Sequence, residues 1–183
     1  LFLLLCAVVT WLAPPSIVRA ADVPIVLCRI GEGPPEAWSS LKTLFESKGY
    51  QVTFYQNEAT IERHVEKVNG LNRLGAKAFL AVELVPAARS HVLVAMTDAR
   101  KGEGRFLTID EIPDTFSKES ERLARSVAGQ FKVKVKRLPL FPLLGVNMPG
   151  VFIRMEFKEG EFEDGVNKIE TGVERYFTER MTK

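Results

Sequence analysis

Apolar residues in this chain fall into short continuous runs and into stripes at helical spacing, and the switching between the two predicts the order of elements. Pro24 to Ile30, PIVLCRI, is a near-continuous apolar run of the kind found in strands buried on both faces, and Gly31, Gly33, Pro34 and Pro35 end it in a loop. Trp38, Leu41, Leu44 and Phe45 then recur at helical spacing up to Gly49, a residue suited to the position just past a helix end. Tyr50 to Tyr55 predicts a second strand. Thr60 stands where it can cap a helix carrying Ile61, Val65, Val68 and Leu71, which stops before Gly75. Ala76 to Leu84 is a third buried run, closed by Pro86, and His91 to Thr97 is a fourth. The polar tip Ala99 to Arg105 and the apolar return Phe106 to Ile109 predict a hairpin.

Beyond Pro113, a helix is expected from about Thr115, with Phe116, Leu123, Val127 and Phe131 on its apolar side. Val133 and Val135 alternate with Lys132, Lys134 and Lys136, which predicts an exposed strand. Its lysines either guard a sheet edge against pairing with another chain or meet an anionic glycan or phospholipid. Leu138 to Met148 is a loop with Pro139, Pro142 and Gly145. A last strand, Met148 to Phe157 (MPGVFIRMEF), precedes a terminal helix whose stripe is Phe162, Val166, Ile169, Val173 and Phe177. Strands and helices alternating at these lengths predict an α/β protein, a three-layer α/β/α sandwich around a mixed, mostly parallel sheet.

The N-terminus changes the picture of where the protein acts. Leu1 to Ala13 is mainly apolar, Pro14 and Pro15 break it, and Val18-Arg19-Ala20 precedes Ala21, the pattern of a secretory signal cleaved after Ala20. Thirteen residues are short for a membrane span, which needs roughly 20. The expectation is a signal over residues 1–20 and one domain over 21–183, exported to the periplasm or the extracellular space, with no stable membrane insertion after cleavage. A formal charge of +2 for the whole chain implies no bulk attraction to nucleic acid. Cys6 lies in the signal, which leaves Cys28 alone in an apolar strand, so a disulfide framework is excluded and a buried, inert thiol is expected.

Candidate chemistry is sparse. Arg154 and Glu156, two apart on the last strand, share one face, and a charged face at a strand end must look into a cleft, contain partners or meet water. His64, beside Arg63 and Glu66, is expected on the solvated side of the second helix. His91 opens the fourth strand and is close enough in sequence to approach Glu83 across the Pro86 turn. Gly31-Glu32-Gly33 lacks the spacing and the Lys-Ser/Thr of a phosphate loop, and Ser39, Ser40 and Ser47 lack a His/Asp arrangement.

Several strings, in order, resemble the zinc-dependent N-acetylmuramoyl-L-alanine amidases, cell-wall hydrolases that cut between muramic acid and the stem peptide. IVLCRIGEG, Ile25 to Gly33, is similar to their opening Ile-Val-Leu-Asp-Pro-Gly-His-Gly-Gly, with Cys28 at the Asp and Gly31 at the zinc-binding His. Gly49-Tyr50-Gln51-Val52 matches Gly-Tyr-x-Val, and Asn72 matches an Asn before the third strand. GAKAFLAVE, Gly75 to Glu83, corresponds to Gly-Ala-Asp-x-Phe-x-Ser-Ile-His and puts Glu83 at another zinc-binding His. MPGVFIRMEF is similar to Met-Pro-Ala-Val-Leu-Val-Glu-x-Gly-Phe, where Pro149 and Phe157 fix the register, Arg154 takes the catalytic Glu position and Glu156 the Gly.

The resemblance, over about residues 24–183, implies the amidase fold, a zinc cofactor and a cleft for peptidoglycan. The residues at its key positions imply loss of the reaction and no cofactor, since catalytic zinc needs three protein ligands and an open position for water. Glu36 is the residue the resemblance offers for the remaining family ligand, a Glu early in the first helix, although the segment from Glu36 to Gly49 is about five or six residues shorter than the family's, and a rebuilt site from Glu36, Glu83 and His91 is the arrangement that would keep a metal. The sharper expectation is an ion pair between Glu83 and Arg154, against which stands an Arg154 that simply extends to solvent. Three functions follow: a pseudo-amidase that binds a peptidoglycan fragment or an envelope protein, an active zinc amidase, or a structural module docking through the terminal-helix stripe.

Overall fold

The computed structural model describes residues 23–102 and 106–181. The expected signal at residues 1–20 lies outside the described residues. The elements are β1 (Val23–Ile30), α1 (Pro35–Ser47), β2 (Tyr50–Gln56), α2 (Ile61–Asn72), β3 (Ala78–Pro86), β4 (His91–Thr97), α3 (Ser117–Phe131), β5 (Lys136–Leu138), β6 (Gly150–Phe157) and α4 (Phe162–Met181). They build a six-stranded sheet in the order β2-β1-β3-β6-β4-β5. Strands β2, β1, β3 and β6 run parallel, β4 is antiparallel to β6, and β5 runs with β4. The sandwich with a mixed, mostly parallel sheet is therefore as the periodicities predict.

Helices α1, α3 and α4 cover one face of the sheet. There Trp38, Leu41 and Phe45 of α1, Leu123 and Val127 of α3, and Ile169, Val173 and Tyr176 of α4 pack on Ile25, Leu27, Leu80, Val82, Val151 and Ile153. The terminal-helix stripe is used up here: Val166, Ile169, Val173 and Phe177 are all buried against the chain's own core. Helices α3 and α4 touch at backbone level, because a Cβ on Gly172 would lie 2.6 Å from Val127 Cα. Only glycine allows that approach without pushing the helices apart.

The opposite face is covered by α2 and the segment leading into β6, with Val68, Leu143, Val146 and Met148 over Val26, Cys28, Phe79, Ala81 and Phe152. Cys28 is fully buried, as expected, and loss of solvent pushes its thiol pKa up, which disfavours the reactive thiolate. The N-cap of α2 is Thr60, whose side chain accepts from Arg63 N at 3.5 Å, a long contact.

Three expectations are corrected. His64 is not solvated but 0% exposed. The buried face of α2 runs through His64 and Val68 with Leu71 packed beside them, so of the expected stripe Val68 and Leu71 hold, while Ile61 is 46% exposed. Among the described residues Phe106 to Ile109 form no strand, so the expected hairpin partner is missing. The outer edge of β4 is instead taken by β5 over Ala95–Thr97, and Ile109 packs beside Gly145 and accepts its N–H at 3.0 Å. Lastly, Lys132 is not in a strand: it ends α3 in the left-handed conformation (φ 56°), Val133 to Val135 run irregularly with the two valines packed on the core, and the strand begins only at Lys136. A chain leaving a helix must first turn, and here that turn uses up the predicted strand.

Candidate functional site

The charged end of β6 arises from its pleat. Val151, Ile153, Met155 and Phe157 face the three-helix core, so Phe152, Arg154 and Glu156 face the α2 side. Parallel register sets Arg154 beside Glu83 of β3, and antiparallel register sets Glu156 opposite His91 of β4. In-register neighbours share a face. Four of the expected site residues, Glu83, Arg154, Glu156 and His91, are thus placed together at the carboxyl end of the parallel strands, beyond the cover of the second core.

The Arg154 guanidinium bridges two carboxylates. Its Nη1 donates to Glu83 Oε1 and Oε2 at 3.4 and 3.3 Å, and its Nε and Nη2 meet Glu156 Oε1 at 3.1 and 3.0 Å. Glu156 is the closer partner, and this pairing is what reasoning from the resemblance missed. The signal was present, since residues two apart on a strand lie side by side on one face. The side chains are 40% exposed for Arg154, 23% for Glu83 and 29% for Glu156. Water therefore screens the pairs, each of which is worth about 1 kcal/mol or less.

The loop after β1 closes one side. Arg29 Nε donates to Gly31 O at 3.2 Å and Nη2 to Gly33 O at 3.1 Å, while its guanidinium lies 5.7 Å from the Trp38 ring centroid. A Cβ on Gly33 would sit 2.3 Å from Leu84 O, so only glycine lets the loop lie this close to β3. Gly31 falls beside the cluster, its Cβ position 4.0 Å from Glu83 Oε1. A 440 Å³ cavity opens here, lined by Ile30, Gly31, Glu32, Pro34, Glu83 and Pro86. Glu36, exposed in the first turn of α1, has no hydrogen bond or ion pair with this cluster among the described residues. His91 is exposed at the mouth of β4.

A second polar constellation lies on the same face, sealed from water. His64 Nε2 is 3.0 Å from Leu144 O, and Nδ1 is 3.2 Å from Tyr55 Oη. A carbonyl can only accept, so Nε2 carries the proton and Nδ1 accepts from Tyr55. Burial pushes the His64 pKa down and, as the largest cause, pushes Tyr55 up to about 12. Asn72 fastens the same loop: its Nδ2 donates to Gly145 O, and its Oδ1 accepts from Asn147 N, both at 2.9 Å.

With this geometry in view, comparison with solved structures gives a consistent answer. The catalytic domain of CwlV, an N-acetylmuramoyl-L-alanine amidase from Bacillus (Paenibacillus) polymyxa var. colistinus, is similar over 87% of this chain and 98% of its own, at TM-score 0.53 and 12% identity. Ami1, the N-acetylmuramyl-L-alanine amidase of Mycobacterium smegmatis, is similar over 87% of this chain and 100% of its own, at TM-score 0.59 and 8% identity. For the catalytic domain of the CD27L endolysin targeting Clostridia difficile, the values are 84%, 98%, 0.59 and 13%.

The fold is that of the N-acetylmuramoyl-L-alanine amidase catalytic domains. No protein-family model matches the chain, and no curated protein matches it in sequence.

The amidase resemblance implies zinc, and the side chains at this edge do not fit it. Among the described residues no group of three or more His, Cys, Asp or Glu side chains is arranged to hold a metal ion. Glu83 faces a fixed cation, the Arg154 guanidinium, and Gly31 offers no ligand atom from a side chain. A guanidinium beside a carboxylate repels a second cation at that carboxylate, so the donor set differs from the three ligands a catalytic zinc requires.

Proposed function

We propose that this chain is an exported pseudo-amidase of the cell envelope, which has kept the amidase cleft as a binding surface for a peptidoglycan fragment or an envelope protein and has lost the hydrolytic reaction. One observation carries the reading: Arg154, at the position where the resemblance implies the catalytic carboxylate, lies between Glu83 and Glu156 and supplies the positive charge there. Hydrolysis would require a water with a lowered pKa and a carboxylate free to take its proton. Here the carboxylate oxygens of Glu83 and Glu156 are both engaged by the Arg154 guanidinium, so neither stands free for that role. The loop held by Arg29 and the 440 Å³ cavity beside Glu83 leave room for a peptide side chain or a sugar substituent. No helix among the described residues is long and apolar enough to cross a membrane.

The test is to purify the chain, measure zinc by elemental analysis and incubate it with muropeptides. The expected outcome is far less than one zinc per chain and no released stem peptide, with retention of the chain on isolated peptidoglycan or on an envelope partner. Near-equimolar zinc together with released stem peptide would establish the active-amidase reading in its place.

A further inference from the structure

Residues 122–137 include six basic side chains and no acidic one, in a chain whose net charge is only +2. The rest of the chain is therefore net negative, and the positive charge is concentrated in one place. The fold wraps this stretch around a groove. It descends the second half of α3, turns at Lys132 in the left-handed conformation, and returns through the extended residues 133–135 into β5 at the edge of the sheet. Between helix and return lies a 490 Å³ cavity, lined by Arg125, Lys134 and Arg137 with Glu121 as the single carboxylate among its lining residues.

The two arginines are exposed and share one carboxylate. Glu121 Oε1 accepts from Arg125 Nε at 3.0 Å and Nη2 at 2.6 Å, while Oε2 accepts from Arg137 Nη2 at 3.0 Å. These contacts hold the Glu121 carboxyl below its ordinary range, first through the hydrogen bonds from Arg125. Each guanidinium has five N–H donors and spends only some of them on Glu121. Lys134 has no ion pair among the described residues. The groove thus presents two guanidiniums and one ammonium against one carboxylate, a surplus of positive charge on one concave surface.

We propose that this groove binds a linear polyanion whose charged groups are phosphates. A tetrahedral phosphate can share its oxygens among two guanidiniums and an ammonium approaching from different directions, whereas a planar carboxylate offers only two. A chain rather than a flat bilayer fits a concave site in which both guanidiniums converge on Glu121. Guarding the sheet edge does not account for the arrangement, because β5 is three residues long and Arg125 lies on the helix. The proposal is independent of whether the Glu83–Arg154 cleft is catalytic.

The experiment is fluorescence anisotropy of labelled inorganic polyphosphate with the full chain over a series of salt concentrations. Wild type is expected to bind at low salt. Replacing Arg125, Lys134 and Arg137 together by Gln is expected to weaken binding at least about ten-fold and to lower the salt slope by about two. Lys134→Gln alone, which leaves the Glu121 clamp intact, is expected to weaken it by about three-fold. The control removes the same charge from exposed positions elsewhere, as Arg63→Gln, Lys67→Gln and Lys77→Gln, and should bind within about two-fold of wild type by the same electrostatic accounting. Equal weakening in both triple variants, no binding of polyphosphate at low salt, or binding to anionic vesicles that polyphosphate does not compete would each overturn the proposal. Circular dichroism of each variant confirms that it is folded.

Discussion

His64 and Arg154 lie on the same face of the same sheet, and the fold treats them in opposite ways. His64 is 0% exposed, and both of its ring nitrogens have a partner of fixed role; Arg154 is 40% exposed and shares its charge between two carboxylates and water. The difference follows from cover. Helix α2 and the segment before β6 close over the middle of this face and leave its carboxyl edge open. Under the cover a polar atom without a partner is expensive, so the residues there form a closed set of donors and acceptors. At the open edge solvent serves as a partner, and charge can be retained for a ligand.

The sharpest way to break this contrast is His64→Ala. It leaves Tyr55 Oη and the Leu144 carbonyl without their partner and removes the ring that packs 4.7 Å from Phe141. A loss of about 3 kcal/mol in urea unfolding is expected. A loss below about 1 kcal/mol would mean that the sealed end behaves like the open one.

A pH series sharpens the comparison with a smaller effect. Burial lowers the folded-state pKa of His64 below its unfolded value near 6.5, so the unfolded chain takes up a proton first as the pH falls. Its stabilising contribution is intact above about pH 6.5 and is lost as the pH drops from there toward the lower folded-state value. Glu170, buried on α4 with Lys48 Nζ at 3.7 Å, is raised mainly by desolvation and acts the other way, costing stability as the pH rises through its range. His64→Gln should flatten the slope of the urea midpoint between about pH 5 and 7, whereas Arg154→Gln should leave that slope in place. An unchanged slope in His64→Gln would remove His64 from the account.

Arg154→Gln is expected to have the smallest effect on stability, about 1 kcal/mol or less, because its ion pairs are half in water. A loss above about 2 kcal/mol in the same urea experiment would show that the open edge is effectively buried.

Much of the fold was legible because burial leaves a period in the sequence. The run PIVLCRI marks a strand covered on both faces, and Val166, Ile169, Val173 and Phe177 mark a helix that packs on a sheet. Where burial depends on a polar residue, the period misleads. His64 occupies a core position on α2 that an apolar stripe leaves out, and Ile61, counted in that stripe, is exposed. The return at Phe106 to Ile109 resembles a hairpin partner, but strand pairing is a competition among segments, and β5 took that edge of β4. At the site, the resemblance brought out Glu83 and Arg154, while the closer contact to Glu156 depended on side-chain reach along a single strand. Glu36 and His91 were plausible partners by sequence position, yet neither joins Glu83 in a metal-binding group among the described residues.

The sequence by itself determined the alternation of elements, the buried thiol of Cys28, and the presence of a carboxylate and a guanidinium at positions where the amidase resemblance implies a zinc ligand and the catalytic Glu. Those features are local or periodic, so they are written in single residues and their spacing. Only the tertiary structure decided that His64 is sealed while Arg154 is open, that Arg154 is shared between Glu83 and Glu156, and that Arg125, Lys134 and Arg137 surround one groove. Such outcomes depend on which segments end up covering which, and cover is a property of the assembled layers rather than of any one of them.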